Sequence, residues 1–179
     1  MSFRIVGERA GWQGRRMGVA IAEVEGPDGA RFEREIIHHP GAVGVMPLHD
    51  DQTVTLVHQY RVAIGSDMWE IPAGLRDVAD EPTADTARRE LAEEAGLRAG
   101  RIEHLVTFHN SAGFSDESVV VYLATELADV ADDRQGIEEQ HMRVERMTLD
   151  DAFAMVDDGR ITDAKTMIAL LTLARRGAG

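Results

Sequence analysis

The chain has 179 residues, 44% of apolar type and 28% charged, which suits a globular core and argues against wholesale disorder. Nineteen Lys and Arg against 32 Asp and Glu leave a formal charge of -13, which disfavours non-specific nucleic-acid binding and docking on an anionic membrane. There is no cysteine, so disulfides, thiolate metal sites and a Cys nucleophile are excluded.

The first residues carry Arg4, Glu8 and Arg9 without an apolar stretch, so no signal peptide is expected. Phe3, Ile5 and Val6 open a first strand and Met17 to Glu25 a second. The turn Gly26-Pro27-Asp28-Gly29 leads to a third, Arg31 to His38. The breaker His39-Pro40-Gly41 marks a boundary, giving a β subdomain over 1–39 and a main domain over 40–179. Ala42 to Leu48 and Thr53 to Gln59 are apolar enough for buried strands, and Trp69-Glu70-Ile71 is a short strand ended by Pro72. The period then changes. Ala84, Ala87, Leu91 and Ala95 fall on one helical stripe, with Thr83 as expected N-cap and Gly96 as C-cap. Ile102 to Phe108, Ser118 to Ala124 and His141 to Met147 return to strand. Thr148-Leu149-Asp150-Asp151 opens a helix, and Thr162 or Asp163 caps a last one reaching Arg175. Its apolar run, Met167 to Leu171, is too short to span a bilayer, so a soluble, cytoplasmic protein is expected. Strands followed by late helices predict a mixed α/β (α+β) domain behind a small antiparallel β subdomain.

The stretch from Gly74 to Leu97 carries the chemistry. Glu90, Glu93 and Glu94 share one helix face at i, i+3 and i+4, where like charges cost about 0.2–0.5 kcal/mol per pair. A bound divalent cation converts that repulsion into coordination, and carboxylate oxygens are the ligands Mg²⁺ prefers. Three acids alone more often mark just a solvated face. The window from Arg89 to Leu97, REL-AEEAGL, fixes five residue types and two aliphatic positions, a coincidence on the order of once in ten million at average usage.

Those residues resemble the second half of the Nudix box, the signature of Mg²⁺-dependent hydrolases of nucleoside diphosphates linked to another moiety. Glu81 and Gly74 resemble its first half, with six residues between them where the usual pattern has five. Gln59-Tyr60-Arg61, Glu70-Ile71-Pro72-Ala73-Gly74 and the run from Ser111 to Glu117 resemble the ADP-ribose pyrophosphatase branch, which commonly has a proline where this chain has Ala112. The resemblance implies a Nudix-like α/β/α sandwich with a mixed sheet. It implies Mg²⁺, with Mn²⁺ as substitute, held by Glu90, Glu94 and Glu93 with the Ala73 carbonyl, and Glu81 as accessory. Arg89 would fix a carboxylate rotamer. The general base would be Glu138, with Glu139 close behind, on the polar segment 132–140. Arg61 would grip phosphate or ribose oxygens, its planar fork being suited to both. Glu117 would contact the terminal ribose, and Trp12 would stack on adenine or pack a dimer interface. His38, His39, His49 and His58 have no ligand spacing and are expected to have structural or surface roles, and Trp69 is expected in the core.

The implied reaction is hydrolysis of ADP-ribose to AMP and ribose 5-phosphate by a homodimer without nucleic-acid or membrane partners. Another nucleoside diphosphate sugar or a dinucleotide is the alternative substrate. A non-catalytic nucleotide sensor is disfavoured because all three box glutamates are kept.

Overall fold

The computed structural model describes residues 2–131 and 141–177. It divides into two compact units, Met1–Gly41 with Phe108–Ser118, and Ala42–Thr107 with Val119–Gly179.

In the first unit, β1 (Arg4–Gln13), β2 (Gly18–Glu25) and β3 (Arg31–His38) form an antiparallel sheet in that order. The β2–β3 hairpin closes where its sequence requires. Gly26 N–H donates to the Ala30 carbonyl at 2.8 Å, and Gly29 takes φ 82°, which a side chain disfavours. β1 runs seven residues beyond the strand read from Phe3 to Val6. It accommodates irregularities at Ile5/Gly7 and Ala10/Trp12, which blur the alternation that marks a strand. The segment 108–118 is laced to β3. Ile37 N–H donates to the Phe114 carbonyl at 2.7 Å, and His39 N–H donates to Asp116 Oδ1 at 2.8 Å. His38 bridges two carboxylates, with Nδ1 at 2.6 Å from Asp116 and Nε2 at 3.1 Å from Glu8. These hydrogen bonds, Asp116 first, push the imidazole pKa up. Burial would raise Asp116, but the His38 and His39 hydrogen bonds outweigh it and hold the carboxyl below its usual range.

The second unit contains β4 (Ala42–Pro47), β5 (Thr53–Arg61), β6 (Ser66–Glu70), β7 (Ala73–Leu75) and β10 (Arg143–Thr148), together with most of β8 (Leu97–His109) and β9 (Ser118–Asp129). One sheet has the order β7-β4-β9-β8 and a second β10-β5-β6. The first is mixed: β4 runs parallel to β9 and antiparallel to β7. The helices are α1 (Thr83–Ala95), α2 (Leu149–Asp157) and α3 (Ala164–Arg175). Among the described residues no helix is long and apolar enough to cross a membrane.

The stripe on α1 docks as its spacing dictates. Ala87 and Leu91 are fully buried with Val43, Val45, Leu97 and Ala124, and sinking a Leu there contributes about 1.5–3 kcal/mol. Gly96 ends the helix at φ 63°, its N–H reaching the Ala92 and Leu91 carbonyls. The N-terminus differs from expectation: Pro82 occupies the cap position with no side-chain cap. Thr83 instead hydrogen-bonds the Tyr122 hydroxyl at 2.6 Å. β7 is the other difference. Pro72 ends one strand, yet the chain re-enters a sheet one residue later, because only Pro72 itself lacks the N–H that a ladder needs. Thr148 and Asp163 cap α2 and α3 through Asp151 N–H at 3.1 Å and Thr166 N–H at 2.9 Å.

Candidate active site

The site is built where α1 faces β7. Glu90 and Glu94 sit one turn apart on the inner side of the helix and are nearly buried, at 8% and 5% exposure. Buried carboxylates need compensation. Glu94 Oε2 accepts the Ala73 N–H at 2.9 Å, which fixes the helix against the strand carrying the Ala73 carbonyl. Glu90 lies against Gly74: a Cβ there would stand 2.0 Å from the Glu90 carboxyl carbon. This glycine is required by that close approach.

Arg89 organises the outer side. Its guanidinium lies 2.7 Å from Glu90 Oε1, donates to Glu93 Oε2 at 3.0 Å, and reaches both oxygens of Glu81 at 3.4 Å. Burial would lower the Arg89 pKa, but the Glu81 hydrogen bond and the charges of Glu90 and Glu93 drive it higher still, so it stays cationic. Glu81 also accepts from the Thr86 hydroxyl at 2.8 Å. Arg89 and Thr86 together hold its carboxyl below the usual range. One arginine thus restrains three box carboxylates, and the i, i+3, i+4 repulsion is offset in place.

The residues suit a divalent cation. The donors are all oxygens, from Glu90, Glu93, Glu94 and the Ala73 carbonyl, the set that Mg²⁺ or Mn²⁺ takes. The missing Cβ at Gly74 leaves the Glu90 carboxylate its room. Among the described residues, no three His, Asp or Glu side chains converge on one point as they stand, Glu90 and Glu93 being engaged by Arg89.

A second cluster was not anticipated. Arg61, at the end of β5, presents Nε and one terminal nitrogen to the two oxygens of Glu70, both at 2.6 Å. Glu70, at the end of β6, is 1% exposed and also accepts from the ammonium of Lys165. Lys165 reaches Asp163 Oδ1 at 3.0 Å. Burial raises the Glu70 pKa, but the Arg61 hydrogen bonds and the Lys165 charge prevail and keep it ionised. The Glu70 hydrogen bonds raise Arg61, with smaller contributions from the charges of Glu94 and Asp163. One signal in the sequence marked this cluster. Lys165 is the sole lysine in a chain whose other basic residues, apart from histidine, are arginines.

The remaining expected residues fall as follows. Glu117, in the first unit, accepts from the Asn110 amide at 2.9 Å and lies 3.8 Å from His39 Nδ1. Trp12, near the end of β1, is 59% exposed, its ring lying over Gly14, where a Cβ would come within 2.2 Å. Trp69 is half-buried rather than core, its ring 4.5 Å from His58. Glu138 and Glu139 lie outside the described residues.

The NUDIX domain model matches residues 38–170, which include every residue of the acidic site and of the Arg61–Lys165 cluster. The chain is 36% identical over 167 residues to an ADP-ribose pyrophosphatase of Bacillus subtilis, covering 93% of this chain and 90% of that one. It is 40% identical over 151 residues to an ADP-ribose pyrophosphatase of Mycobacterium tuberculosis, covering 84% and 73%. A solved structure described as an ADP compounds hydrolase superposes with a TM-score of 0.86 at 21% identity, over 100% of this chain and 97% of the other, which establishes the shared fold. The chain belongs to the NUDIX domain family.

Proposed function

We propose that the protein is an ADP-ribose diphosphatase that requires Mg²⁺, replaceable by Mn²⁺. The observation that carries this is the pair of buried carboxylates, Glu90 and Glu94, set against Ala73 and Gly74 in a chain so similar to proteins named ADP-ribose pyrophosphatases. Water adds to one phosphorus, the anhydride P–O–P bond breaks, and AMP and ribose 5-phosphate leave as phosphate monoesters, with two protons released when both are dianionic. When bound, the cation neutralises the diphosphate, polarises a phosphoryl oxygen and acidifies the attacking water.

The chain's own residues divide the remaining work. Glu90, Glu94 and the Ala73 carbonyl hold the cation, with Glu93 next in reach along the helix. The Ala73 N–H bond to Glu94 keeps carbonyl and carboxylate together. Arg89 sets the rotamers of Glu90 and Glu93, the task of an outer partner that orients a ligand. Glu81 acts through Arg89, to which it is tied. Arg61 supplies positive charge for the substrate's oxygens. Its fork edge is taken by Glu70, and its side chain remains 41% exposed. Glu138, or failing it Glu139, accepts the proton of the attacking water. Glu117 binds the terminal ribose and Trp12 the adenine. A homodimer belongs to the same reading.

Phosphate release, coupled to a phosphatase that attacks the products, tests this across ADP-ribose, other ADP- and GDP-sugars and nucleoside triphosphates. ADP-ribose is expected to lead, and EDTA to abolish the signal. Faster turnover of triphosphates would overturn the substrate assignment.

A further inference from the structure

The Glu70–Arg61 pair differs from an ordinary surface salt bridge. Its carboxylate is buried, both of its oxygens are engaged by one guanidinium, and one of them is shared with a second cation. A pair of this kind has a defined geometry only if the remaining capacity of the carboxylate is also satisfied. Lys165 does that, and it is itself fixed. Asp163 Oδ1 takes its ammonium at 3.0 Å, while Asp163 Oδ2 caps α3 by accepting from Thr166 N–H at 2.9 Å and Thr166 Oγ1 at 2.6 Å. Thr166 Oγ1 also accepts the Ile71 N–H at 2.8 Å, the residue that follows Glu70. The first turn of α3 therefore grips the β6–β7 connection at two consecutive residues, Glu70 by charge and Ile71 by its backbone. Two residues further on, Ala73 donates its N–H to Glu94.

We infer that Lys165 is a positioning residue for Arg61: its ammonium ties the Glu70 carboxylate to the cap of α3, and Glu70 in turn aims the Arg61 guanidinium. The chemistry favours an ammonium here. Glu70 is already occupied bidentately, so the second cation has to be a compact point charge on a flexible stem, which a planar guanidinium is not. The two acids and two bases of the cluster balance. Removing Lys165 leaves Glu70 and Asp163 competing for Arg61, whose side chain is the most exposed of the four.

This inference rests on the reading of Arg61 as a substrate contact, and the composition of the chain supplies a clean test. With one lysine and no cysteine, Lys165→Cys creates a single thiol that 2-bromoethylamine alkylates in the unfolded chain. Refolding then restores an ammonium of nearly lysine length. KM and kcat are measured for wild type, Lys165→Met, Arg61→Ala, the double variant and the aminoethylated Lys165→Cys protein. Lys165→Met is expected to raise KM about 10-fold with kcat within about threefold, the signature of lost uniform binding. It should add nothing in the Arg61→Ala background, since residues acting as one unit are not additive. Aminoethylation should bring KM back towards wild type. An unchanged KM for Lys165→Met beside a raised one for Arg61→Ala overturns the inference, and so do additive effects or failed rescue. An unchanged KM for Arg61→Ala overturns this inference together with the Arg61 contact. The comparison is made on whichever nucleoside diphosphate sugar wild type hydrolyses fastest. Failure on ADP-ribose alone then refutes the substrate assignment and leaves this inference tested.

Discussion

Gly74→Ala adds one methyl group at a place where the structure has none to spare. The new carbon would stand 2.0 Å from both Cδ and Oε1 of Glu90 and 2.5 Å from Oε2. Ordinary carbon contacts begin near 3.5 Å, so either the carboxylate or the strand must withdraw by about 1.5 Å. Neither is free to do so cheaply. Gly74 is paired to Val43 within β7–β4, and the next residue towards the N-terminus is held by Glu94. The Glu90 carboxylate ends a flexible side chain, but it is nearly buried and its Oε1 lies 2.7 Å from the Arg89 guanidinium. Overpacking of this kind costs about 1–3 kcal/mol, which a folded domain of this size survives. Catalysis is less tolerant, because a displacement of about 1 Å in a positioned group costs roughly 10²-fold. The expected result is a folded protein with thermal melting a few degrees lower, kcat/KM for ADP-ribose down by at least about 10²-fold, and a raised metal requirement. The assay is product formation against Mg²⁺ concentration, with circular dichroism to verify folding. Wild-type activity and metal dependence in this variant would refute the argument that Glu90 must occupy the space above residue 74.

Glu94→Gln keeps an oxygen for the Ala73 N–H but removes the charge, so stability should hardly change while kcat/KM falls by about 10²–10³-fold in the same assay. Glu138→Gln should lower kcat by about 10²–10⁴-fold with melting unaltered, and Glu139→Gln should do so instead if the two roles are exchanged. The His38 bridge carries a pH dependence. Its pKa in the folded chain is raised, so its stabilisation is complete below the ordinary His value of about 6.5 and is lost as pH rises through the elevated one. Asp116 acts in the opposite range, contributing above its ordinary value and losing that contribution as acid protonates it. Thermal melts of wild type and His38→Gln should therefore converge at alkaline pH and separate as the pH falls towards 6.

How much of this was written in the sequence differs from element to element. α1 was legible because two constraints coincide on it: Ala87 and Leu91 repeat at helical spacing, and Gly96 ends the run at a positive φ. Its start was misread because Thr83, a good cap by type, is spent on Tyr122 across 39 residues. The acids of the box were visible as a repulsion that needed an explanation. Their local answer, Arg89, was visible too, since Glu93 stands at i+4 from it on the helix. What no local pattern showed was long-range, and Ala73 was named only through the family resemblance. The Ala73–Gly74 backbone meets Glu90 and Glu94 only when β7 pairs with β4, and a three-residue strand after a proline carries no periodicity to read. Glu70 and Lys165 are 95 residues apart, so no local pattern links a strand-end glutamate to a helix-start lysine. Arg61 was picked out for its chemistry, and the partners that orient it emerged only from the packing.

One experiment reaches the heart of the account: anomalous scattering from crystals grown with Mn²⁺ and an ADP-ribose analogue whose bridging oxygen is replaced by methylene. The account predicts an anomalous peak within about 2.0–2.3 Å of oxygens from Glu90, Glu94 and the Ala73 carbonyl, with the analogue bound beside it. Manganese and diphosphate together at another place, with Glu90 and Glu94 engaging neither, would contradict it.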